Sequence, residues 1–520
     1  MTETDLSRMI SAAGAPAPAA EPAGLRDAVL AGRFFSAGHR DEADRLSSFI
    51  ALRDVTSLAT WFGGDMLARL RSSREALRMA LDRDIAAIDA LIGVQLDAVL
   101  HHPRMRRLEG SWRGLAWLME GVEPGGRTKV RLLGASWADI CRDLERAAEF
   151  DQSHLFRKIY EDEFGTPGGE PYGLLLVDHE LRHRPMPGFP TDDITALKLL
   201  AGVSAAAFAP TILAASPALL EVDGFSDLSN VADPAAPMRS TDFARWRGLF
   251  TQEDIRYLGV TLPRVLARAP WHDDPARSDR FRYSEYAPDA ESRVWSTAVY
   301  AFGANVVRAF ANHAWPADIR GVEIDRRGGG LVDHMTTESF RTEPPHTWVR
   351  PALDVVLTDK QERQLVDAGL MPLSSVPFTE EAVFGSVRGL QQPATYMGAN
   401  ANAANANARL SAQINTLLCV SRFAHYVKML GRDMVGSMRG AEDIEMELQN
   451  WISGYVNGNL AGGADSRARF PLVAGRVLVR ERPGKPGVYG CTVQLQPYFQ
   501  LDDVNATFRL VTDIAAPGAR

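Results

Sequence analysis

The chain has 520 residues, of which 46% are hydrophobic and 23% are charged, as in folded globular proteins. A chain of this length exceeds one ordinary core, so two or three domains are expected. The net charge of −8 argues against nucleic-acid binding, because neutralising phosphates requires an excess of Lys and Arg.

Cysteine content and the N-terminus together predict a cytoplasmic protein. Three widely spaced cysteines provide neither a disulfide framework nor a Cys-x-x-Cys metal site, which favours a reducing compartment. The first 26 residues lack a charged region followed by an apolar one, so no signal peptide is expected. The apolar run Ala205–Leu220 is interrupted by prolines and is shorter than a bilayer span, so no membrane insertion is expected.

The chain begins with a predicted short helix and a linker. Leu6, Met9 and Ile10 lie at helical spacing within residues 2–11, which predicts one amphipathic helix. Residues 12–24 are rich in Ala and Pro and contain no bulky apolar side chain, which is typical of a flexible linker. The first ten residues are therefore either a tethered recognition peptide or a frayed tail without a partner.

From residue 25 onwards the pattern turns helical and then alternates between helix and strand. Leu81–Leu100 carries one apolar face and is predicted to be a long helix ending before Pro103. The elements predicted next are a strand at Lys129–Leu133, a helix at Trp137–Phe150 capped by Ser136, a buried strand at Tyr172–Val177, a helix at Asp193–Phe208 and a strand at Thr211–Ala214. This rhythm suggests a partly parallel sheet covered by helices.

The middle of the chain is predicted to consist mostly of surface loops. Residues 222–350 are rich in Pro, Gly, Asp and Arg, with one helix predicted at Trp295–Ala314. A strand at Leu353–Leu357 and a helix at Asp359–Asp367 follow. The Ala/Asn-rich segment Gly398–Ala408 is predicted to be a loop.

Two helices and three strands are predicted to complete the chain. The helices run from about Asn407 to Gly436 and over Glu442–Val456. Alternation of apolar and polar residues predicts an antiparallel β-meander from the strands Arg476–Glu481, Val488–Gln496 and Val504–Thr512. In the last strand one face is shared by Val504, Ala506, Phe508 and Leu510. A terminal strand is also a sheet edge, and can pair with a neighbouring molecule.

These elements predict a mixed α/β (α+β) fold of several layers, with a helical N-terminal region and a C-terminal antiparallel β-meander. The predicted domains are a flexible peptide and linker at 1–24, a helical extension at 25–80, an α/β region at 81–390, and C-terminal helices with the meander and its terminal exchange strand at 391–520.

No residue pattern typical of an enzyme occurs. The glycine clusters at 165–169 and 328–330 lack the Lys-Ser/Thr of a P-loop and the Gly-x-Gly-x-x-Gly spacing, so turns are predicted. His101 and His102 are adjacent and point to different sides of a helix end, which makes a poor metal site. No Gly-x-Ser-x-Gly elbow is present, and nothing places paired carboxylates across a cleft. We therefore predict a protein without catalytic activity, cofactor or metal.

Several stretches, in order along the chain, carry a resemblance to one known family. They are Leu108-Glu-Gly-Ser-Trp-Arg-Gly-Leu115, Glu163-Phe-Gly-Thr-Pro-Gly-Gly-Glu-Pro-Tyr-Gly173, Ala209-Pro-Thr-Ile-Leu-Ala-Ala-Ser-Pro217, Arg256-Tyr-Leu-Gly-Val-Thr-Leu-Pro-Arg264, Ile319-Arg-Gly-Val-Glu323, Asn405-Ala-Asn-Ala-Arg-Leu410, Arg422-Phe-Ala-His-Tyr-Val-Lys428, Pro486-Gly-Val-Tyr489 and Gln496-Pro-Tyr-Phe-Gln-Leu501. Together they resemble the VipB/TssC family, the large sheath subunits of the type VI secretion system, over about residues 80–514. One such motif would be weak, but this many in order are specific.

The resemblance implies a contractile-sheath subunit that forms a heterodimer with a small TssB/VipA-like subunit. Such heterodimers polymerise around a tube of Hcp hexamers on a baseplate, and contraction propels the tube and its effectors. Family members also exchange terminal strands between neighbours. Their short N-terminal helix can be captured by a ClpV-type AAA+ unfoldase, and Leu6, Met9 and Ile10 lie where that helix would be.

Two regions depart from the family pattern. Residues 25–80 look longer and more hydrophobic than the usual N-terminus, and the run after Gly330 differs from the usual Leu-Pro-Val-His. An accessory sheath-like adaptor or assembly regulator therefore stands as the alternative to a main sheath subunit. A cytoplasmic enzyme on a mixed α/β fold is a third hypothesis, which the absence of a convergent polar motif disfavours.

Overall fold

A computed structural model of the protein confirms the mixed α/β class. It describes residues 24–33, 40–53, 56–166, 168–274, 276, 281–322, 326–340, 348–377, 379–398, 401–434, 440–459, 463–483, 488–497 and 508–514. The predicted N-terminal helix lies outside these ranges. The chain divides into two compact units, the first made of Met1–Arg106 with Pro270–Ser292 and the second of Arg107–Ala269 with Arg293–Arg520.

The first unit is helical where it is described before residue 100. Its helices are α1 (Leu25–Leu30), α2 (Arg40–Ala51), α3 (Thr56–Phe62), α4 (Gly64–Leu70) and α5 (Arg74–Leu100). The predicted helix at Leu81–Leu100 thus begins seven residues earlier, at Arg74, after the N-cap Ser73, whose side chain accepts a hydrogen bond from the Ala76 amide. Apolar side chains of α1, α3, α4 and α5 form a small core.

The second unit is built around a six-stranded sheet with the order β1-β2-β3-β9-β10-β6. Its strands are β1 (Leu175–Leu181), β2 (Thr211–Ala215), β3 (Leu258–Leu262), β6 (Leu331–Val332), β9 (Met371–Ser375) and β10 (Ala382–Phe384). The first four in this order, β1, β2, β3 and β9, are parallel, whereas β10 is antiparallel to both of its neighbours. Two short antiparallel pairs, β4 (Val265–Arg268) with β5 (Val294–Ser296) and β7 (Glu338–Phe340) with β8 (Trp348–Arg350), complete this part.

Helices cover both faces of this sheet, as the sequence predicted. The longer helices of the unit are α6 (Pro103–Glu120), α7 (Trp137–Arg146), α8 (Asp193–Ala206), α9 (Ala244–Leu249), α10 (Ala298–His313), α11 (Asp359–Asp367), α12 (Ala401–Ser411), α13 (Ile414–Met434), α14 (Ala441–Ser453) and α15 (Ala464–Arg469). Leu213 of β2 belongs to the core that α8 covers, and Ile212 to the core that α10 and the start of α13 cover. Because β2 is buried on both faces, its sequence is continuously apolar after Thr211 instead of alternating.

The C-terminal strands β11 (Leu472–Glu481), β12 (Tyr489–Pro497) and β13 (Phe508–Ile514) form a separate antiparallel sheet in chain order. Val477 and Val479 of β11 and Val493 of β12 are buried with apolar side chains of α13 and α14. Alternation of polar and apolar residues in β11 and β12 therefore follows from one face packing on helices and the other facing outward.

Three predicted elements are wrong. Residues 128–136 form no strand, since Val130, Leu132 and Leu133 are exposed and no neighbouring strand pairs with them among the described residues. Leu353–Leu357 contributes a single bridge, from Leu353 to Val265, instead of a strand. The Ala/Asn-rich segment is helix α12, because Ala favours the helix strongly enough to outweigh Asn.

The predicted helix from Asn407 to Gly436 is divided between α12 and α13. At the break the backbone pairs with a neighbouring loop instead of continuing the helix. The Gly389 amide donates to the Ala412 carbonyl at 2.7 Å, and the Ile414 amide donates to the Val387 carbonyl at 2.8 Å. Tertiary hydrogen bonds thus end α12, which periodicity in the sequence does not reveal.

Two glycines of α6 allow a close approach to β5 and α10. A Cβ atom at Gly110 would overlap the carbonyl group of Trp295, and one at Gly114 would overlap the Ser296 hydroxyl and the Tyr300 ring. Both glycines belong to the stretch Leu108–Leu115, so their spacing has a packing reason.

We predict that Gly114→Ala lowers the free energy of unfolding by about 2 kcal/mol, because overpacking forces neighbouring groups to move. Urea denaturation followed by circular dichroism measures the change. Gly248→Ala in α9 is the control, since a Cβ there meets no atom within 4 Å. The control should gain about 0.5–1 kcal/mol from reduced backbone entropy in the unfolded chain. An equal effect of the two substitutions would contradict the close packing of α6.

Candidate functional site

The glycine clusters form turns whose polar groups are paired within the chain. The Gly165 amide donates to the Glu161 carbonyl at 2.8 Å, and the Glu170 amide donates to the Glu163 carboxylate at 2.7 Å. In the second cluster the Gly329 amide donates to Asp318 at 3.0 Å. These amides are used inside the fold, which agrees with turns and not with a phosphate cradle.

The adjacent histidines make separate contacts. His101 Nε2 lies 3.1 Å from the Glu285 carboxylate, and His102 Nδ1 accepts from the Arg104 amide at 3.3 Å. Over the ranges that the structure describes, no three His, Cys, Asp or Glu side chains are grouped as metal ligands.

The three cysteines are buried and poorly suited to nucleophilic chemistry. Burial raises the pKa of Cys419 to about 12, and likewise those of Cys141 and Cys491. The thiolate is the nucleophile, so a thiol with so high a pKa is unreactive at neutral pH.

Two of the stretches that carry the family resemblance, Glu163–Gly173 and Arg422–Lys428, meet at an aromatic cluster around Lys428. Its ammonium lies 5.2 Å from the ring centroids of Tyr160 and Phe164 and 4.9 Å from that of Phe208. It also donates to the Tyr160 hydroxyl at 3.3 Å. We call Lys428 with these three rings the Lys428 cage. Each cation–π contact of this kind contributes about 0.5–2 kcal/mol, more as water is excluded.

His425 lies one helical turn before Lys428 and extends the cluster into the core. Its ring is buried, with Nε2 2.9 Å from the Ala207 carbonyl and the Phe164 ring centroid at 5.5 Å. Burial lowers the pKa of His425 to about 4, and the nearby Arg422 and Lys428 act in the same direction. The imidazole is therefore neutral at pH 7 and donates its Nε2 proton to Ala207.

The backbone around the cage has two unusual conformations. Arg157–Glu161 is a turn of π-helix that carries Tyr160, between the short helical turns His154–Phe156 and Asp162–Phe164. Phe208 has φ of 51° immediately after α8, in the left-handed region that side chains rarely occupy. Such conformations persist only where the surroundings hold them, and here the cage rings and His425 provide those contacts. The cluster is thus a structural junction between α8, α13 and the segment before β1.

A second charged cluster lies where β1 and β3 end. The Arg264 guanidinium donates to both Glu180 carboxylate oxygens, at 2.6 and 2.8 Å, and the Arg264 amide donates to Asp354 at 3.0 Å. Burial opposes ionisation of Glu180, but the charge and hydrogen bonds of Arg264 hold its pKa below the usual value. Burial raises the pKa of Asp354 to about 7. The pair joins the two strands across the edge of the sheet.

The residues predicted to contact partners are only partly described. Leu6, Met9, Ile10, Val504 and Ala506 lie outside the described ranges. Phe508 and Leu510 lie in β13, in register with Leu495 and Val493 of β12. Their roles in partner binding stay predictions.

Sequence reasoning missed an exposed apolar stripe on α6. Leu108, Trp112 and Met119 are exposed, Trp112 by 57%, and Leu115 between them is half-buried. The spacing of four, three and four residues places all four on one side of the helix. This periodicity was a usable signal, and an exposed stripe of this kind is typical of a protein–protein interface.

In the described part of the chain no single helix meets the length and hydropathy criteria for a membrane span, and only the bent pair α5 and α6 meets them when combined.

The family models and a relative found by sequence indicate the same family. The family model for the EvpB/VC_A0108 tail sheath N-terminal domain (VipB) matches residues 82–391, and that for the tail sheath gpW/gp25-like domain matches residues 403–514. The type VI secretion system sheath protein TssC1 of Pseudomonas aeruginosa is 34% identical over 447 residues, 85% of this chain and 87% of that protein. The structural comparison found a chain in the cryo-EM structure of the anti-feeding prophage baseplate, 6-fold symmetrised. The match covers 74% of the present chain and 82% of the baseplate chain at 11% identity, with a TM-score of 0.35. At that score the structural likeness supports no conclusion.

We predict that His425 makes the fold sensitive to acid. Its pKa is about 4 in the folded chain and about 6.5 when unfolded, so between these values the unfolded state binds the proton and stability falls as pH falls. His425 should lower the free energy of unfolding by about 2 kcal/mol at pH 5 relative to pH 8. His425→Gln keeps a donor for Ala207 without titrating, and should remove this part of the dependence in urea denaturation.

The exposed His154→Gln serves as the control and should leave the pH dependence unchanged. Asp354 acts with the opposite sign, since its raised pKa makes stability fall as pH rises from about 4 to 7. The test therefore compares the pH dependence of the free energy of unfolding of each variant with that of the parent chain. A parent-like slope in His425→Gln would contradict the assignment.

Proposed function

This chain belongs to the VipB family of EvpB/VC_A0108 tail sheath proteins, and from that premise we propose that it is a large subunit of a type VI secretion contractile sheath. It forms a heterodimer with a small TssB/VipA-like subunit and polymerises around a tube of Hcp hexamers on a baseplate. Contraction propels the tube and its effectors. The observation that carries this proposal is the match of both sheath domains, in order, over most of the chain.

The proposed mechanism is a change of packing and not covalent catalysis. A contractile subunit needs rigid bodies and surfaces that can pair in two arrangements. The Lys428 cage and the Arg264–Glu180 pair support rigidity, because each joins segments that are distant in the sequence. The exposed stripe on α6 supports a binding surface for another subunit.

An accessory sheath-like adaptor or assembly regulator remains the second candidate. One observation favours it: helices α1 to α4 and the start of α5 precede residue 82, where the sheath family model begins. A helical addition of this size could serve a specialised role. Assembly behaviour distinguishes the two candidates.

We also propose that the terminal strand links neighbouring subunits. β13 is the outer strand of its sheet, and in the described part of the chain its backbone pairs with β12 alone. An open edge can accept a strand from another molecule, or β13 can leave β12 to pair elsewhere. The apolar face predicted for Val504, Ala506, Phe508 and Leu510 would then be buried in the neighbour.

The N-terminal helix is proposed to be the site that a ClpV-type AAA+ unfoldase recognises, through Leu6, Met9 and Ile10. We also propose a cytoplasmic location, which this role and the sheath assembly require. Deletion of residues 1–12 should abolish binding to the N-terminal domain of the unfoldase in a fluorescence anisotropy titration. Unchanged binding would contradict the role of this helix.

Co-expression with a small TssB/VipA-like subunit should produce tubular particles visible by electron microscopy. The double variant Phe508→Asp/Leu510→Asp should retain the heterodimer and lose long tubes, because two carboxylates on the linking face oppose burial. Size-exclusion chromatography measures the heterodimer, and tube length is measured on micrographs.

Arg509→Gln, on the opposite face of the predicted strand, is the matched control and should assemble like the parent chain. Soluble heterodimers that never polymerise under any condition would favour the accessory adaptor. Normal tubes from the double variant would contradict the proposed linkage.

A further inference from the structure

The first unit contains an open apolar groove between α2, α3 and α5. Its volume is about 440 Å³. The lining side chains are mainly large and apolar, and include Leu46, Phe49, Leu58, Trp61, Leu81 and Ile88. Ile85 and Ile92, which also line the groove and lie two turns apart on α5, are 55% and 41% exposed. A soluble protein rarely leaves so continuous an apolar surface without an occupant.

Among the described residues that line the groove, the one carboxylate, that of Asp84, is paired with donors from the fold. Asp84 accepts two hydrogen bonds from Arg26 at 2.6 Å and a third from the Trp61 indole at 2.9 Å. The hydrogen bonds from Arg26 lower the pKa of Asp84, so the carboxylate stays ionised and paired. The groove therefore favours an apolar ligand and offers little to a cation.

The shape and lining suit an amphipathic helix. A helix of this kind docks through side chains spaced by three or four residues on one face. Leu6, Met9 and Ile10 have that spacing, and a helix over residues 2–11 would be about 15 Å long.

The N-terminal segment is also tethered next to the groove. α1 begins at Leu25, and Val29 of α1 is itself one of the lining residues. The sequence predicts a linker of 13 residues from Ala12 to Gly24, and a flexible chain of that length would span about 20 Å, enough to reach across the groove. A tether of this length gives an effective concentration of the order of millimolar, so even weak docking would be populated.

We propose that residues 2–11 dock in cis into the groove between α2, α3 and α5, with Leu6, Met9 and Ile10 buried against it. Docking covers the three side chains that the unfoldase proposal requires to be accessible. The groove would then control whether this segment is available to another protein. The inference itself does not depend on the sheath assignment, because it concerns one chain.

The test uses a fluorescent synthetic peptide of residues 1–12 as the probe and compares the full chain with a chain lacking residues 2–11. The peptide should bind the shortened chain, and should bind the full chain about tenfold or more weakly because its own segment occupies the groove. A peptide carrying Leu6→Asp and Met9→Asp should not bind, whereas one carrying Ser7→Asp, on a different face, should bind.

Substitutions in the groove supply the matched control. Ile85→Asp and Ile92→Asp, introduced in the shortened chain, lie on exposed parts of α5 and should weaken peptide binding about tenfold, because a carboxylate there opposes burial of the peptide. Val94→Asp alters the same helix at a residue that is 63% exposed and does not line the groove, and should leave binding unchanged. Circular dichroism of each variant checks that the helices remain folded.

Several results would overturn the proposal. Equal binding to the full and shortened chains would show that the segment does not occupy the groove in cis. Absence of peptide binding to the shortened chain would show that the groove does not bind this segment. A concentration-dependent dimer that is lost on deletion of residues 2–11 would show that the segment docks onto a second copy of the chain instead. Loss of peptide binding when the small subunit is added to the shortened chain would assign the groove to that partner instead.

Discussion

Burial of β2 on both faces is the constraint on which the second unit depends. Its side chains pack alternately against the core under α8 and the core under α10 and α13. A strand in this position must have both neighbours in place, because its backbone groups would otherwise be buried without partners. The parallel pairing of β1 and β3 with β2, and the helices that connect them, follow from this requirement.

The charged and aromatic clusters hold the ends of these connections. The Arg264–Glu180 pair joins the ends of β1 and β3, and the Lys428 cage joins α13 to the segments on either side of the β1–α8 region. Removing one partner from either cluster would leave a buried charge or a strained turn without support. Both clusters therefore serve rigidity, which the proposed contractile role requires.

The features on which the proposed function rests are surfaces and strand edges. The glycine and histidine residues that were considered from the sequence as phosphate or metal sites make hydrogen bonds within the chain. Gly329 and His101 are examples. The features left open are the stripe on α6, the outer edge of β13 and the groove of the first unit. Each offers apolar side chains or backbone groups to another polypeptide, and the family membership gives that chemistry a context in a helical assembly.

The sequence by itself determined the family, the α/β class and the elements with strong local signals. Asp359–Asp367 has its predicted bounds, and in the structure Thr358 and Gln361 form a capping box that fixes the start of this helix. Thr211–Ala214 was predicted because a doubly buried strand is continuously apolar. The loop predicted at Gly398–Ala408 was wrong because Ala favours a helix strongly enough to outweigh Asn, and tertiary hydrogen bonds then decide where α12 ends. Only the tertiary structure brought Tyr160, Phe208 and Lys428 together, since a contact across more than two hundred residues leaves no periodic trace in one sequence.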